Sequence, residues 1–240
     1  MKTEEERTGA EAFPAGLEQP EGSFRFSADA LLLADMAAEA SLPEKALVAD
    51  LGTGCGVVAL SVLRRKPLWK AVGLELQPAL VAAARRNACR LGVSSRFFAV
   101  QGDVAVRESL RAARASLQPE GVEEGRALPL FDAVLCNPPW RREGTGRLPP
   151  SDMRRTALFG DARTFPAFFS AADGILENGG LLITVSGAER TAELLAALPA
   201  RLHPEVLRFV FTRRDAPAAF VLLLARKNGR ADMRVERLEL

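Results

Sequence analysis

Asp50-Leu51-Gly52-Thr53-Gly54-Cys55-Gly56 is the stretch on which the reading of this chain turns. It closes a mostly apolar run, Ala46–Leu51, and opens a segment, Val57–Arg65, that reads as a helix. A glycine-rich turn between a strand and a helix sits where open α/β sheets bind ligands, because glycine lets the backbone come close to them. A dinucleotide pyrophosphate calls for GxGxxG. The spacing here is Asp-x-Gly-x-Gly-x-Gly, and the acid ahead of it repels a pyrophosphate but suits a cation.

Outward from this loop the pattern alternates. A helix is expected from Ala28 to about Ala40, closed by Pro43. After the loop come a strand at Ala71–Leu76 and a helix over Pro78–Leu91, whose proline at the first helical position costs no hydrogen bond. A strand at Arg96–Val100, a helix at Val104–Ala115 and a strand at Leu130–Cys136 follow. Residues 137–160 read as a long loop. Beyond it lie a helix at Thr164–Leu176, a strand at Leu181–Ser186 after Gly179-Gly180, a helix at Glu189–Ala197, and strands at Val206–Phe211 and Phe220–Ala225. Such regular alternation predicts an α/β, Rossmann-like fold, with a mostly parallel seven-stranded sheet covered on both faces. The short link between the last two strands predicts an antiparallel hairpin at the sheet edge. One domain is expected over 23–227, with a flexible lead-in at 1–22 and a tail at 228–240.

Composition bounds the function without choosing it. The 240 residues are 48% hydrophobic and 26% charged, with a net charge of +2. No apolar run approaches the ~18–20 residues that cross a bilayer, and the N-terminus lacks the apolar core of a signal peptide. A cytoplasmic location and no membrane partner follow as expectations. Cys55, Cys89 and Cys136 show no CxxC spacing, and His203 is the single histidine, so neither a disulfide framework nor a metal site is expected. Without a histidine near it, Cys55 reads as a packing residue rather than a nucleophile.

Two further acids fall at the ends of the next two strands. Glu75, in Gly73-Leu74-Glu75-Leu76, stands at the offset of a ribose-binding carboxylate. Asp103, in Gly102-Asp103-Val104, can accept from an adenine amino group. Taken singly each has a plainer reading: Glu75 a solvated loop charge, Asp103 a helix N-cap, the glycines only a turn. Together and in order they predict S-adenosylmethionine as cofactor, held by Asp50, Gly52, Thr53, Gly54, Gly56, Glu75, Leu76, Asp103, Val104 and Asn137.

The chemistry is expected after the fourth strand, at Asn137-Pro138-Pro139-Trp140. Two prolines stiffen the backbone and remove two N–H donors, leaving the Asn137 side-chain oxygen and the Pro138 carbonyl as acceptors. That pair can grip an exocyclic NH2 and aim its nitrogen, with Trp140 as a stacking surface for a planar acceptor. The plainer reading is a turn capped by a core tryptophan.

These motifs resemble those of class I methyltransferases that modify amino nitrogens through an Asn-Pro-Pro-aromatic signature; tryptophan is the less usual aromatic there. Phe24–Ala34 is similar to the segment ahead of the cofactor loop in the tRNA (adenine-N6) methyltransferases. The resemblance, over roughly 22–226, implies methyl transfer to adenine N6 in RNA, with tRNA as the foremost partner. It also implies that Phe26 and Asp29 help to close the site; Asp29 reads equally as a first-turn acid on a helix dipole. Arg141, Arg142, Arg147, Arg154 and Arg155 suit a phosphate-gripping arm, or a solvated surface. The competing readings are a ribosomal-RNA guanine-N2 methyltransferase, a release-factor glutamine methyltransferase, a non-catalytic RNA-binding protein and a nicotinamide oxidoreductase. The short segment before Asp50 counts against the helical substrate domain of the glutamine enzymes. A monomer or homodimer is expected.

Overall fold

In the computed structural model, which describes residues 13–23, 25–118, 127–140 and 160–240, the strand that carries Asp50 lies inside the sheet. This strand, β1 (Leu47–Leu51), pairs in parallel with β2 (Lys70–Glu75) on one side and with β4 (Phe131–Cys136) on the other. The chain winds outward from β1 to β2 and β3 (Phe97–Gln101), then returns to β4 and β5 (Leu176–Gly187). The order reverses between β1 and β4, and such a switch point opens a crevice beyond the carboxyl ends of the strands.

Both faces are covered. Helices α1 (Ala28–Glu39), α2 (Val57–Arg65) and α3 (Pro78–Arg90) bury Val48, Ala71, Leu135 and Ile183 on one side. On the other, α4 (Arg107–Ala115), α5 (Thr164–Ile175) and α6 (Thr191–Ala196) bury Ala49, Val72, Val134 and Leu182. Strands buried on both faces read as continuous apolar runs rather than alternating ones, as Leu181–Ile183 does.

Three features differ from expectation. First, the sheet has eight strands, in the order β3-β2-β1-β4-β5-β7-β6-β8. The tail expected at 228–240 holds β8 (Arg234–Glu239), which pairs in parallel with β6 (Leu202–Phe211). Arg208 secures it by bonding Glu236 at 2.8 Å and Glu39 at 2.9 Å, while Leu238 packs on the core. A charged edge strand of this kind has little apolar pattern to read. Second, β7 (Phe220–Lys227), antiparallel to both β5 and β6, makes the expected antiparallel hairpin with β6 at that end of the sheet, but β8 is added outside it. Third, β5 begins directly after α5 and runs through Gly179 and Gly180, where its register against β4 shifts. The glycines mark a bulge within a strand rather than a break before one.

The lead-in expected to be flexible up to residue 22 is fastened from Phe13 onward. Asn87, fully buried in α3, accepts from the Glu18 N–H at 2.8 Å. Its amide nitrogen donates to the carbonyls of Glu18 at 3.0 Å and Cys55 at 2.9 Å. Arg86 adds an ion pair to Glu18, and the Arg64 guanidinium lies 4.3 Å from the centre of the Phe13 ring. The cause is long-range polar bonding to α3, which composition in the lead-in does not reveal. Among the described residues no helix is long and apolar enough to cross a membrane.

Candidate active site

A cavity of about 770 Å³ opens at the switch point. Its wall is built from the ends of β1, β2, β3 and β4, the start of α1 and the first turns of α5.

On the cofactor side, Asp50 at the end of β1 is 1% exposed. Its Oδ2 accepts from the Thr53 hydroxyl at 2.7 Å and from the Ala59 N–H at 3.2 Å. The second bond caps the first turn of α2, a duty that the N-cap residue, Gly56, cannot perform without a side chain. Burial raises the Asp50 carboxyl to about 6, against the lowering effect of Thr53 and Ala59, with the charge of Glu75 adding to the rise. Glu75, at the end of β2, is likewise pushed upward by burial. Its Oε2 accepts from the Gly54 N–H at 3.0 Å and its Oε1 from the Gln77 N–H at 2.9 Å, so it pins the glycine turn to β2. It is therefore not a solvated charge. No basic side chain of the described residues is among the groups acting on either acid.

Two buried carboxylates without an internal cation form a site that gains from a cationic guest. Gly54 makes room for one. With φ at +58° it occupies the left-handed region, and a Cβ there would meet nothing within 4 Å because it would point into open space. Leu76, Asp103 and Val104 line the same cavity; Asp103 is exposed and accepts the Ala105 N–H at 2.8 Å. It is not the N-cap of α4, which is Val106. Gly52 and Thr53 line the cavity as well. Gly56 does not: it lies behind the turn, where an added Cβ would press on Leu60 at 3.0 Å. This donor set fits S-adenosylmethionine, whose ammonium and ribose hydroxyls would face Asp50 and Glu75. When bound, the cofactor supplies an electrophilic methyl carbon on sulfur.

The acceptor side is assembled from distant parts of the chain. Asn137, Pro138, Pro139 and Trp140 all line the cavity just past β4. Asn137 Nδ2 donates to Asp29 Oδ2 at 2.9 Å across 108 residues, and Ser27 Oγ donates to the other oxygen of Asp29. Trp140 meets the Phe220 ring edge-on, with centres 6.3 Å apart and planes at 79°. Its carbonyl accepts from Arg190 Nη1 at 2.6 Å. Arg190 is 3% exposed; it lies over the Phe165 ring at 4.6 Å and pairs with Glu193. Phe26 and Asp29 reach the cavity from the start of α1, together with Ser27.

The sequence reading missed Ser27, Arg163, Thr164, Phe168 and Phe220 in the cavity wall, and Arg190 behind it. Only Phe220, opening an apolar strand, carried a local signal. Arg141, Arg142, Arg147, Arg154 and Arg155, the expected phosphate-gripping arm, lie outside the described residues, as does Phe24. Burial pushes the Cys55 thiol up to about 11 and the Cys136 thiol to about 12, which removes both as thiolate nucleophiles at neutral pH. No group of three or more metal-ligating side chains occurs among the described residues.

The known proteins that this chain is similar to are methyltransferases. Residues 28–122 match the family model of the precorrin methyltransferase domain. The release factor glutamine methyltransferase of Moorella thermoacetica is 32% identical over 175 residues, 68% of this chain and 55% of that protein. The tRNA1(Val) (adenine(37)-N6)-methyltransferase of Porphyromonas gingivalis is 26% identical over 200 residues, 82% of this chain and 69% of that protein. This chain thus spans little more than half the length of the Moorella relative. Among solved structures, an O-methyltransferase so designated by prediction, Atu636 of Agrobacterium tumefaciens, superposes with a TM-score of 0.64 at 22% identity. That match covers 88% of this chain and 86% of the other. By its fold and these likenesses, the chain belongs to the class I S-adenosylmethionine-dependent methyltransferases.

Proposed function

We propose that this chain moves a methyl group from S-adenosylmethionine to an exocyclic amino nitrogen, adenine N6 in structured RNA and tRNA foremost. One observation carries the reading: the Asn137–Trp140 segment and the three acids Asp50, Glu75 and Asp103 line a single cavity. A nitrogen gripped at Asn137 therefore shares that space with the group held by the acids. In this reading the Asn137 oxygen and the Pro138 carbonyl accept the two protons of the amine and turn its lone pair toward the methyl carbon. Trp140 stacks on the ring, a contact of about 1–3 kcal/mol for a base. Positioning of this kind needs no strong base, and the surplus proton leaves to water after transfer. The adenine leaves its stack to enter.

The tRNA part of the proposal draws on the adenine-N6 relative, which matches more of this chain than the Moorella enzyme does. The second reading is a protein glutamine as acceptor, favoured by the higher identity of that enzyme. A carboxamide NH2 offers the same two donors as adenine N6.

Incubation with methyl-labelled cofactor and, separately, total tRNA, ribosomal RNA and release factors separates them. Label recovered as N6-methyladenosine in tRNA is the expected result. Label confined to a release factor would overturn the nucleobase assignment and keep the amino-nitrogen chemistry.

A further inference from the structure

Asp29 is an unusual first-turn acid. Such residues ordinarily face water and complement the helix dipole, but this one is 3% exposed and turned toward the cavity. No basic side chain is bonded to it in the described structure. Its two oxygens are taken by neutral donors, Ser27 Oγ and Asn137 Nδ2. Ser27 is the N-cap of α1, yet its hydroxyl makes no capping bond; it serves the carboxylate instead.

We infer that Asp29 is a positioning residue that fixes which end of the Asn137 amide meets the substrate. A carboxylate only accepts hydrogen bonds, whereas an amide has a donating end and an accepting end. Flipping Asn137 would set its oxygen against the Asp29 oxygens, so the amide has one favourable sense. Its nitrogen faces Asp29 and its oxygen is the end left for the cavity. This argument does not depend on how the amide atoms are assigned, since the carboxylate has no second way to bond. The negative partner also draws the amide N–H outward and concentrates charge on Oδ1, which strengthens it as an acceptor.

The consequence is a hydrogen-bond filter of one sense. The notch takes edges that bring N–H donors, such as the NH2 of adenine, cytosine, guanine or a primary carboxamide. It rejects edges that bring a carbonyl at the same place, such as O4 of uracil, because two acceptors would then face each other unpaired. The inference deepens the proposed transfer to an amino nitrogen and rests on it for the identity of the substrate, though not for the sense of the amide.

The test is Asp29→Asn, nearly isosteric but able to present either end of its own amide. Three quantities are compared with wild type: the methyl-transfer rate on the acceptor found by labelling, the affinity for S-adenosylhomocysteine by calorimetry, and the Asn137 side-chain NH2 signals in a 15N-labelled sample. Those signals are assigned by their absence in Asn137→Ala. The expected result is a rate loss of about 30-fold or more, cofactor affinity within about twofold, and an Asn137 pair that shifts and exchanges faster with solvent. Ser27→Ala is expected to give the same pattern, more weakly.

A wild-type rate in Asp29→Asn, or an unmoved Asn137 pair, would overturn the inference. So would parallel losses of rate, cofactor affinity and melting temperature, which are the marks of a merely structural acid. If the wild-type protein methylates no amino nitrogen, the proposed reaction fails, and the amide pair alone decides the role of Asp29: movement upholds it, stillness removes it.

Discussion

The two sides of the crevice are built by different means. On the cofactor side most of the bonds that shape the wall are short in sequence, Thr53 to Asp50, Gln77 to Glu75 and Ala105 to Asp103, and the longer ones, Gly54 to Glu75 and Asn87 to Cys55, span 21 and 32 residues. On the acceptor side they are long: Asp29 to Asn137 and Arg190 to Trp140, with Phe220 against Trp140. The first side is a set of turns at the ends of neighbouring parallel strands, cross-linked within one half of the sheet, whereas the second exists only once α1, β4, β7 and the turn after β5 have docked. Turns of this kind tolerate loss of a neighbour, but a surface assembled from remote elements does not. Damage on the acceptor side should therefore cost turnover while leaving cofactor affinity intact, and damage on the cofactor side should do the reverse.

The sharpest break is Asn137→Ala. Its expected effect is a fall in methyl transfer of about 10³-fold, near 4 kcal/mol, the scale of losing one well-placed transition-state partner. S-adenosylhomocysteine affinity, read by calorimetry, should move by less than about twofold. A comparable loss of affinity would merge the two sides into one.

Next is Arg190→Ala. It leaves the Trp140 carbonyl without its donor and opens space beside Phe165, a cost of about 3 kcal/mol. Calorimetric melting should fall by about 6–12 °C for a chain of this size, and turnover should fall more than cofactor affinity. Arg190→Lys should recover only part of the loss, since an ammonium cannot reproduce the flat fork that lies on Phe165 and reaches both Trp140 and Glu193.

Gly54→Val probes the other side. The left-handed backbone resists a branched side chain by about 1–2 kcal/mol, and the added methyls occupy the open space that Gly54 faces. Cofactor affinity should drop by about tenfold or more. The rate at saturating cofactor should remain close to normal.

The gentlest probe is pH. With the Asp50 carboxyl raised to about 6, protonation below that value removes the charge that would meet the cofactor ammonium. Cofactor affinity should weaken as pH falls from 7 to 5, by up to about tenfold at the lower limit, and Asp50→Asn should flatten the profile. Stability of the cofactor-free protein should run the other way. An acid whose folded value lies above its unfolded value binds more protons when folded, so stability is greatest at low pH within this window and is lost as pH rises through about 6. Opposite slopes for binding and melting are the signature to look for.

The same contrast explains what could be read beforehand. Asp50, Glu75 and Asp103 were legible because each stands at a strand end within a recurring unit, and a short-range pattern carries that information. Asn137–Trp140 was legible as a motif, but its supports were not. Nothing near Arg190 in the chain signals a partner across the sheet, and Asp29, placed near the site by resemblance alone, reads equally as a first-turn acid, with no local sign of its bond to Asn137. Strand β8 escaped for another reason: Arg-Val-Glu-Arg-Leu-Glu is the composition of a solvated tail, and it is the ladder to β6, the Arg208–Glu236 ion pair, the Arg237 guanidinium over Phe211 and the packing of Leu238 that hold it to the edge. The bulge at Gly179-Gly180 escaped because glycines that end a helix and glycines that kink a strand look alike in one dimension.

Asn87 joins these themes in a single side chain. It reaches the Cys55 carbonyl in the cofactor turn with one amide proton and the Glu18 carbonyl with the other, while its oxygen takes the Glu18 N–H. Any tug on the upstream strand of chain is thereby transmitted to the residue next to Gly54, so the stiffness of the ligand loop depends on a segment that contributes no atom to it. Glu18 and the glycine turn thus lean on one shared side chain, and removal of Asn87 should loosen both together.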